Sequence, residues 1–362
     1  MNKPFQKIYF DPYIFFSLFL LSILGLFFLF SASNADTSIV FKQFIYVVAG
    51  FIIMILISQP DPDIFRRMSG LFLIFSLLLL GITYLFGPEI NGAQRWVRIG
   101  PLSFQSSELL KLAVPIFLAK FLFDKKLPIQ RKEIIISLLI IFCCFFIVFR
   151  QPDLGTALII ACSGLLVLFL SGLSWSFIGG SIILLIISSP FIWNILLQPF
   201  QRQRIVTFFN PESDPFGASW NIIQSKVAIG SGGLLGKGFG EGSQTQLNFL
   251  PETETDFIFS VIGEEFGFLG VLLLLSIYLF LLLRCFYLAL SARDRFCRLV
   301  IGGLSLTFAA NLIINLCMVV GLLPVVGMPL PFISKGGSSL MSLFIAFGII
   351  ISMGTHKKFL PQ

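Results

Sequence analysis

Ten apolar runs dominate this chain, near residues 13–31, 41–58, 70–87, 108–125, 133–149, 154–172, 175–197, 257–284, 300–323 and 338–355. Each can cross a bilayer as a helix, for which roughly 17 to 25 residues suffice. Hydrocarbon offers the backbone no hydrogen bonds, so a spanning segment must satisfy its own polar groups. The pattern predicts an all-α polytopic membrane protein, a single membrane domain over residues 1–362 with about ten transmembrane helices. Composition agrees: 56% of the residues are hydrophobic and 12% charged, outside the usual range of soluble domains. The first run is followed by Ser31, Ala32 and Ser33, but it is too long for a signal-peptide core and is read as a retained helix.

Charge placement sets the orientation. With the N-terminus inside, fourteen of the 25 cations fall on inner loops and tails, among them Lys3, Lys7, Arg66, Arg67, Lys125, Lys126, Arg284, Arg293, Arg295, Arg298, Lys357 and Lys358. By the positive-inside rule both termini are cytoplasmic. The net charge of +7 is then mainly a topology signal, and no nucleic-acid partner is expected. One long extracytoplasmic loop, about residues 198–256, joins helices 7 and 8. Eight glycines fall between 217 and 242, yet the interleaved Trp220, Ile222, Ile223, Val227, Ile229, Leu234 and Leu235 argue for a folded segment at the membrane interface. "GSGGLLGKGFG" lacks the ending of a nucleotide-binding P-loop and the strand before it.

The residue inventory narrows the chemistry. His356 is the single histidine and the six cysteines show no CxxC spacing, so a Ser-His-Asp triad, a zinc site and a disulfide framework are not expected. An acid or base has to be Asp, Glu, Lys or Tyr. Charges near membrane depth are costly and mark sites by default. Glu108 and Lys111 share one face at the outer start of the fourth helix, Asp153 opens the sixth, and Asp256 opens the eighth, where a helix dipole would steady a carboxylate. At 100° per residue, Ser260, Gly263, Gly267 and Gly270 follow Asp256 within about 40°, a small-residue face suited to close helix packing. Glu264 and Glu265 lie about 12 Å deeper and read as paired structural acids, with a proton or substrate relay as the alternative. Asn311 and Asn315 read as hydrogen-bonding glue between helices. Outer cations including Arg95, Arg98, Arg202, Arg204, Lys226, Lys237 and Lys335 form a basic rim, either for lipid head groups or for an anionic substrate such as a lipid diphosphate.

The stretches "NGAQRWVRIGPLSFQSSELLKLAV" (91–114), "QPDLGT" (151–156), "FFNPESDPFGASWNIIQSKVAIGSGGLLGKGFGEGSQTQLNFLPETETDFIFSVIGEEFG" (208–267) and "GLLPVVGMPLPFISKGGSS" (321–339) together resemble the SEDS family of shape, elongation, division and sporulation proteins. "NPESDPFGASWNIIQSK" and the short tails favour its cell-elongation branch. The resemblance implies a multi-pass peptidoglycan glycosyltransferase of the bacterial cytoplasmic membrane. It would polymerise lipid II on the outer leaflet and release undecaprenyl diphosphate. A class B penicillin-binding transpeptidase and other elongation-complex membrane proteins are the implied partners. Asp256 matches the family's essential aspartate, and Glu108, Lys111 and Asp153 would share its cavity. The chain departs from the family pattern at Ser106, Asn248, Glu254 and Lys335, which puts in doubt any role carried by position 248.

The reaction fits the residue types. Joining a sugar hydroxyl to an anomeric carbon, with diphosphate leaving, needs a base at the hydroxyl and positive charge at the diphosphate. Asp256 is the expected catalytic base. Glu108, Lys111, Asp153, Arg95, Arg202, Arg204 and Lys237 are the expected substrate-binding residues, with a divalent cation, Mg²⁺ or Mn²⁺, as a candidate aid and no organic cofactor. The rival readings are a lipid II flippase or transporter, and a non-catalytic scaffold of the elongation complex.

Overall fold

Aspartate opens five of the long helices in the computed structural model. Its described residues are 9–90, 93–99, 102–127, 129–174, 197–210, 219–247 and 249–356, with isolated positions between 177 and 194. The helices are α1 (Pro12–Ala32), α2 (Thr37–Ser58), α3 (Pro62–Phe86), α4 (Ser107–Leu122), α5 (Arg131–Phe149), α6 (Leu154–Leu170), α7 (Pro199–Phe209), α8 (Trp220–Ser231), α9 (Ser243–Gln246), α10 (Ile258–Leu290), α11 (Arg295–Val319) and α12 (Gly337–Thr355). Asp11, Asp36, Asp61, Asp153 and Asp294 each accept an amide of the first turn of α1, α2, α3, α6 and α11, satisfying donors that a helix start leaves orphaned.

Among the described residues, seven helices are long and apolar enough to cross a membrane: α1, α2, α3, α5, α10, α11 and α12. Apolar α6 is shorter, and α4 has 16 residues and carries Glu108, Lys111 and Lys120. The run predicted at 175–197 falls largely outside the described residues. α1, α5 and α12 fall within two residues of their apolar runs, whereas α3 begins eight residues and α11 five residues before theirs and α10 runs six residues past its own. Buried α4, α11 and α12 form the centre: α2 packs on α12, α3 on α4, α6 on α4 and α11, and α1 on α10. Peripheral helices leave Phe41, Leu71, Leu78, Leu139, Leu272 and Leu273 exposed, the surface a chain in lipid presents to acyl chains.

Two features correct the all-helical expectation. Between α3 and α4 the chain forms two antiparallel hairpins, β1 (Glu89–Ile90) with β2 (Ala93–Gln94) and β3 (Trp96–Ile99) with β4 (Leu102–Gln105). These elements are too short for a reading based on membrane-length runs to register. The second feature is a break in α10. Gly267 adopts φ 62° and ψ −160°, a region essentially confined to glycine.

The glycine-rich loop fills that break. The amides of Lys237 and Gly238 donate to the carbonyls of Glu264 and Glu265, both at 3.0 Å, while Phe268 and Leu269 donate to Gly233 and Leu234 at 2.9 and 3.1 Å. A Cβ at Gly236 would stand 2.1 Å from the Glu265 carbonyl oxygen. Gly263 packs against Ile229 of α8, as a small-residue face on a neighbouring helix should, whereas Gly267 faces the loop backbone at Leu234 and Gly236, and the straight small-residue face ends at the break. The loop closes a backbone whose released hydrogen bonds would otherwise be unsatisfied in a membrane.

Candidate active site

Asp256 sits two residues before α10, in a loop fixed from three sides. Asn315 of α11 donates through Nδ2 to the Asp256 carbonyl at 3.0 Å and to that of Met328 at 2.6 Å. The Ser334 hydroxyl donates to the carbonyl of Thr255, and the Lys335 amide donates to that of Glu254 at 2.8 Å. Asn315 is thus glue, as expected, although it ties a helix to two loops. With the backbone held this way, the half-buried Asp256 carboxylate accepts no hydrogen bond among the described residues and lines a cavity of about 290 Å³.

The helix start does not steady it. The N-cap of α10 is Phe257, and Asp256 receives no amide from the first turn. Burial instead pushes its carboxyl up to about 6; Glu252 adds to the rise and Arg204 opposes it. A carboxyl tuned upward and left without a partner is suited to taking a proton near neutral pH.

Glu108, Lys111, Asp153 and Arg95 line the same cavity. Buried Glu108 accepts from Lys111 Nζ at 2.6 Å and from Ser342 of α12 at 2.8 Å, so one carboxylate oxygen aims the ammonium and the other is anchored. Asp153 is doubly committed: Oδ1 accepts from the Thr156 amide at 3.2 Å, and Oδ2 from Gln105 Nε2 at 2.7 Å. It is a helix cap in the cavity wall. Arg95, between β2 and β3, donates to the carbonyls of Gln151 and Pro152 at 2.8 and 2.7 Å. The hairpins thereby place a guanidinium and Gln105 over the start of α6. Among the described residues no three His, Cys, Asp or Glu side chains come together. With Glu108 and Asp153 committed, the donor set does not fit a cation held by the protein alone.

The remaining expected residues part company. Arg204 of α7 donates to the Val325 carbonyl at 3.0 Å and lines a smaller, neighbouring cavity together with Arg95 and Asp153. Arg202 turns to the carbonyls of Leu197 and Asn194, at 3.1 and 3.0 Å, and lines neither cavity. Lys237 donates to Glu264 at 2.6 Å and Ser243 at 2.8 Å, a structural pair away from Asp256. Asn248 lies outside the described residues. Two departures from the family pattern meet: Lys335 Nζ is 2.5 Å from Glu254 Oε2. Sequence reasoning missed Gln105 and Ser342 and placed Asn311, which lines the cavity, only as glue. The signal for Gln105 was its place beside Ser106, Ser107 and Glu108.

A family model described as cell cycle protein, covering FtsW, RodA and SpoVE, matches residues 12–359. Peptidoglycan glycosyltransferase MrdB of Escherichia coli (strain K12) is 42% identical over 357 residues, 99% of this chain and 96% of that one. A solved chain from work on structural coordination of polymerization and crosslinking by a peptidoglycan synthase complex superposes with a TM-score of 0.82, at 30% identity, over 95% of this chain and 97% of that chain. The rod shape determining protein RodA of Thermus thermophilus superposes with a TM-score of 0.72, at 28% identity, over 97% and 99%. Membrane-spanning architecture, cavity and full-length similarity agree: the chain belongs to the SEDS family of cell cycle proteins that includes FtsW, RodA and SpoVE.

Proposed function

We propose that this chain is a peptidoglycan glycosyltransferase of the elongation branch, polymerising lipid II and releasing undecaprenyl diphosphate. The observation that carries the reading is the unpartnered Asp256 carboxylate, on an immobilised loop, sharing a cavity with the Glu108–Lys111 pair. Asp256 takes the proton of the acceptor hydroxyl as its oxygen attacks the donor's anomeric carbon. The bond from that carbon to the diphosphate breaks, and the diphosphate leaves without needing a proton. Lys111, aimed by Glu108, and Arg95 offset the charge that develops on it. The divalent cation, Mg²⁺ or Mn²⁺, enters this reading as a companion of the substrate's diphosphate, and chelation that leaves polymerisation unchanged would remove it.

The seven long apolar helices, with α4, α6 and the undescribed run at 175–197, support ten spans with both termini cytoplasmic. In this proposed topology the 198–256 loop and the cavity face the outer side of the bacterial cytoplasmic membrane. A class B penicillin-binding transpeptidase is the proposed partner, supported by the likeness to a chain studied in a peptidoglycan synthase complex. A transporter would carry ionisable groups along a path through the membrane. The deepest acids work against that reading, since Glu264 is bound to Lys237 and Glu265 accepts from Ser31.

The test supplies lipid II to the purified protein with its partner and measures glycan strands for wild type and Asp256→Asn. Polymer from wild type alone supports the reading. No polymer from wild type, or equal polymer from both, ends it.

A further inference from the structure

Gln43 is a buried polar residue on a peripheral helix. Its neighbours Phe41, Phe44, Ile45 and Val48 are exposed along α2, where a chain in lipid meets acyl chains, yet Gln43 itself is 4% exposed. A buried amide has to find hydrogen bonds or cost stability, and Gln43 finds two on one stretch of loop. Its Nε2 donates to the Ser334 carbonyl at 3.2 Å and its Oε1 accepts the Gly336 amide at 3.4 Å. These partners decide which end of the amide is which, and because they flank Lys335 they fix both the position and the direction of that segment. The same three residues hold the chain just before Asp256. The Ser334 hydroxyl accepts the Leu330 amide at 2.8 Å and donates to the Thr255 carbonyl, and the Lys335 amide donates to the Glu254 carbonyl at 2.8 Å. Two residues before Ser334, Phe332 stands at φ 64°, a left-handed conformation that a bulky side chain keeps only when its surroundings impose it.

We propose that Gln43 is a positioning residue for the reaction at Asp256: from α2 it clamps residues 334–336, and these hold the Glu254 and Thr255 carbonyls so that the Asp256 carboxylate meets the acceptor hydroxyl. The proposal rests on the polymerase reading for the reaction it serves. Asn315 anchors the Asp256 carbonyl from α11, and Gln43 supplies a second anchor from α2. Neither touches the carboxylate. With one anchor gone the base stays in the cavity but its placement loosens, and misplacing a reacting group by about 1 Å costs on the order of 10²-fold in rate. Glu108, Lys111 and Arg95 keep their own partners, so Gln43 acts on turnover and leaves substrate binding in place. Loosening also admits water to a carboxyl that burial holds up at about 6, and its titration then falls toward that of an ordinary carboxylate.

The experiment compares the full chain with its partner as wild type, Gln43→Met, Gln43→Glu and Met54→Ala. It measures lipid II polymerisation across pH, the unfolding midpoint, and hydrogen exchange of residues 251–257. Gln43→Met keeps the length and removes both bonds. Gln43→Glu keeps the acceptor for the Gly336 amide, loses the donor to Ser334, and is read in the same way should Gln43→Met fail to fold. Met54, fully buried on the same helix, has no part in the clamp, and its truncation controls for a loosened α2. Gln43→Met is expected to lower kcat per folded molecule by about tenfold to a hundredfold with KM unchanged. Its acid limb moves to lower pH and exchange at 251–257 quickens, Gln43→Glu falls between it and wild type, and Met54→Ala lowers only the midpoint. Wild-type kcat and acid limb in a folded Gln43 variant overturn the proposal even where the midpoint drops, as does Met54→Ala reproducing the shifted limb. Polymer from wild type beside unchanged Gln43 variants refutes the clamp alone. No polymer from wild type, with exchange at 251–257 still quickened in Gln43→Met, refutes the enzyme reading and leaves the clamp standing.

Discussion

Asp256 and Glu264 stand eight residues apart on one segment, and their surroundings are opposite. Glu264 is fully buried, and its Oε1 accepts from Lys237 Nζ at 2.6 Å, the Gln244 amide at 3.0 Å and Ser243 at 3.2 Å. Asp256 is half-buried and has a pinned backbone and a side chain without hydrogen bonds among the described residues. Depth in the membrane, which made Glu264 and Glu265 conspicuous in the sequence, does not separate the chemical acid from the structural one. Commitment and access do: Glu264 is sealed from the cavity with Oε1 accepting three donors, whereas the uncommitted Asp256 carboxylate, held in place, opens on the cavity.

The largest effect expected from this contrast is on turnover. Asp256→Asn should lower polymerisation by about 10²- to 10⁴-fold, the range for removing a general base, with the protein still folded. Linkage gives the sign for stability. The folded Asp256 carboxyl titrates near 6 against 3.8 unfolded, so its ionisation destabilises the fold as pH rises across that interval. Asparagine cannot ionise, and Asp256→Asn should unfold in detergent at the same or a higher temperature than wild type at neutral pH. Loss of activity accompanied by loss of fold would break the comparison from the Asp256 side.

Glu264 should give the reverse result. Glu264→Ala strands Lys237 and leaves the Ser243 and Gln244 donors without their acceptor, which should cost about 3 kcal/mol, read as a lower unfolding midpoint. Glu264→Gln keeps the shape and an acceptor and should cost about 1–2 kcal/mol. Activity per folded molecule should change less than it does for Asp256→Asn. An inactive, fully stable Glu264→Gln would show that the deeper acid takes part in the reaction after all.

A smaller effect sharpens the electrostatics around Asp256. Because the base works ionised, kcat/KM should rise with pH through an apparent pKa near 6. Glu252 contributes to the upward shift and Arg204 opposes it. Glu252→Gln should therefore move the acid limb down, and Arg204→Gln should move it up. Limbs that do not move, or that move together, would assign the ionisation to another group.

Spans and their ends were legible in the sequence because a membrane helix writes itself as an uninterrupted apolar run, and α1, α5 and α12 fall nearly where the runs do. The charged residues of the cavity were legible for a related reason, since Glu108, Lys111 and Asp256 stand at or near the ends of such runs. The hairpins between α3 and α4 were not, because strands of two and four residues leave no periodicity to read. The partners of Lys237 and Arg202 were also hidden. A cation on an outer loop looks like rim, and only the docking of the glycine loop onto the break at Gly267 carries Lys237 to Glu264. The same docking accounts for Gly267, whose spacing suggested helix packing, while Gly263 does pack on a helix, against Ile229 of α8.

The smallest expected effect concerns the two departures that meet at the cavity mouth. Glu254 and Lys335 form an ion pair at 2.5 Å, but the lysine side chain is 44% exposed, and exposed pairs contribute about 0–1 kcal/mol. Their backbones matter more, because the Lys335 amide holds the Glu254 carbonyl at 2.8 Å two residues before Asp256. Substituting either side chain leaves that bond in place. Glu254→Gln and Lys335→Met should each shift the unfolding midpoint little and lower polymerisation less than tenfold, and the double variant should be no worse than the poorer single one, since each single change strands the other's charge. A double-mutant cycle on polymerisation and midpoint measures this. A large loss confined to Lys335→Met, unrelieved in the double variant, would instead make Lys335 a substrate contact and extend the reacting region from Asp256 to the cavity rim.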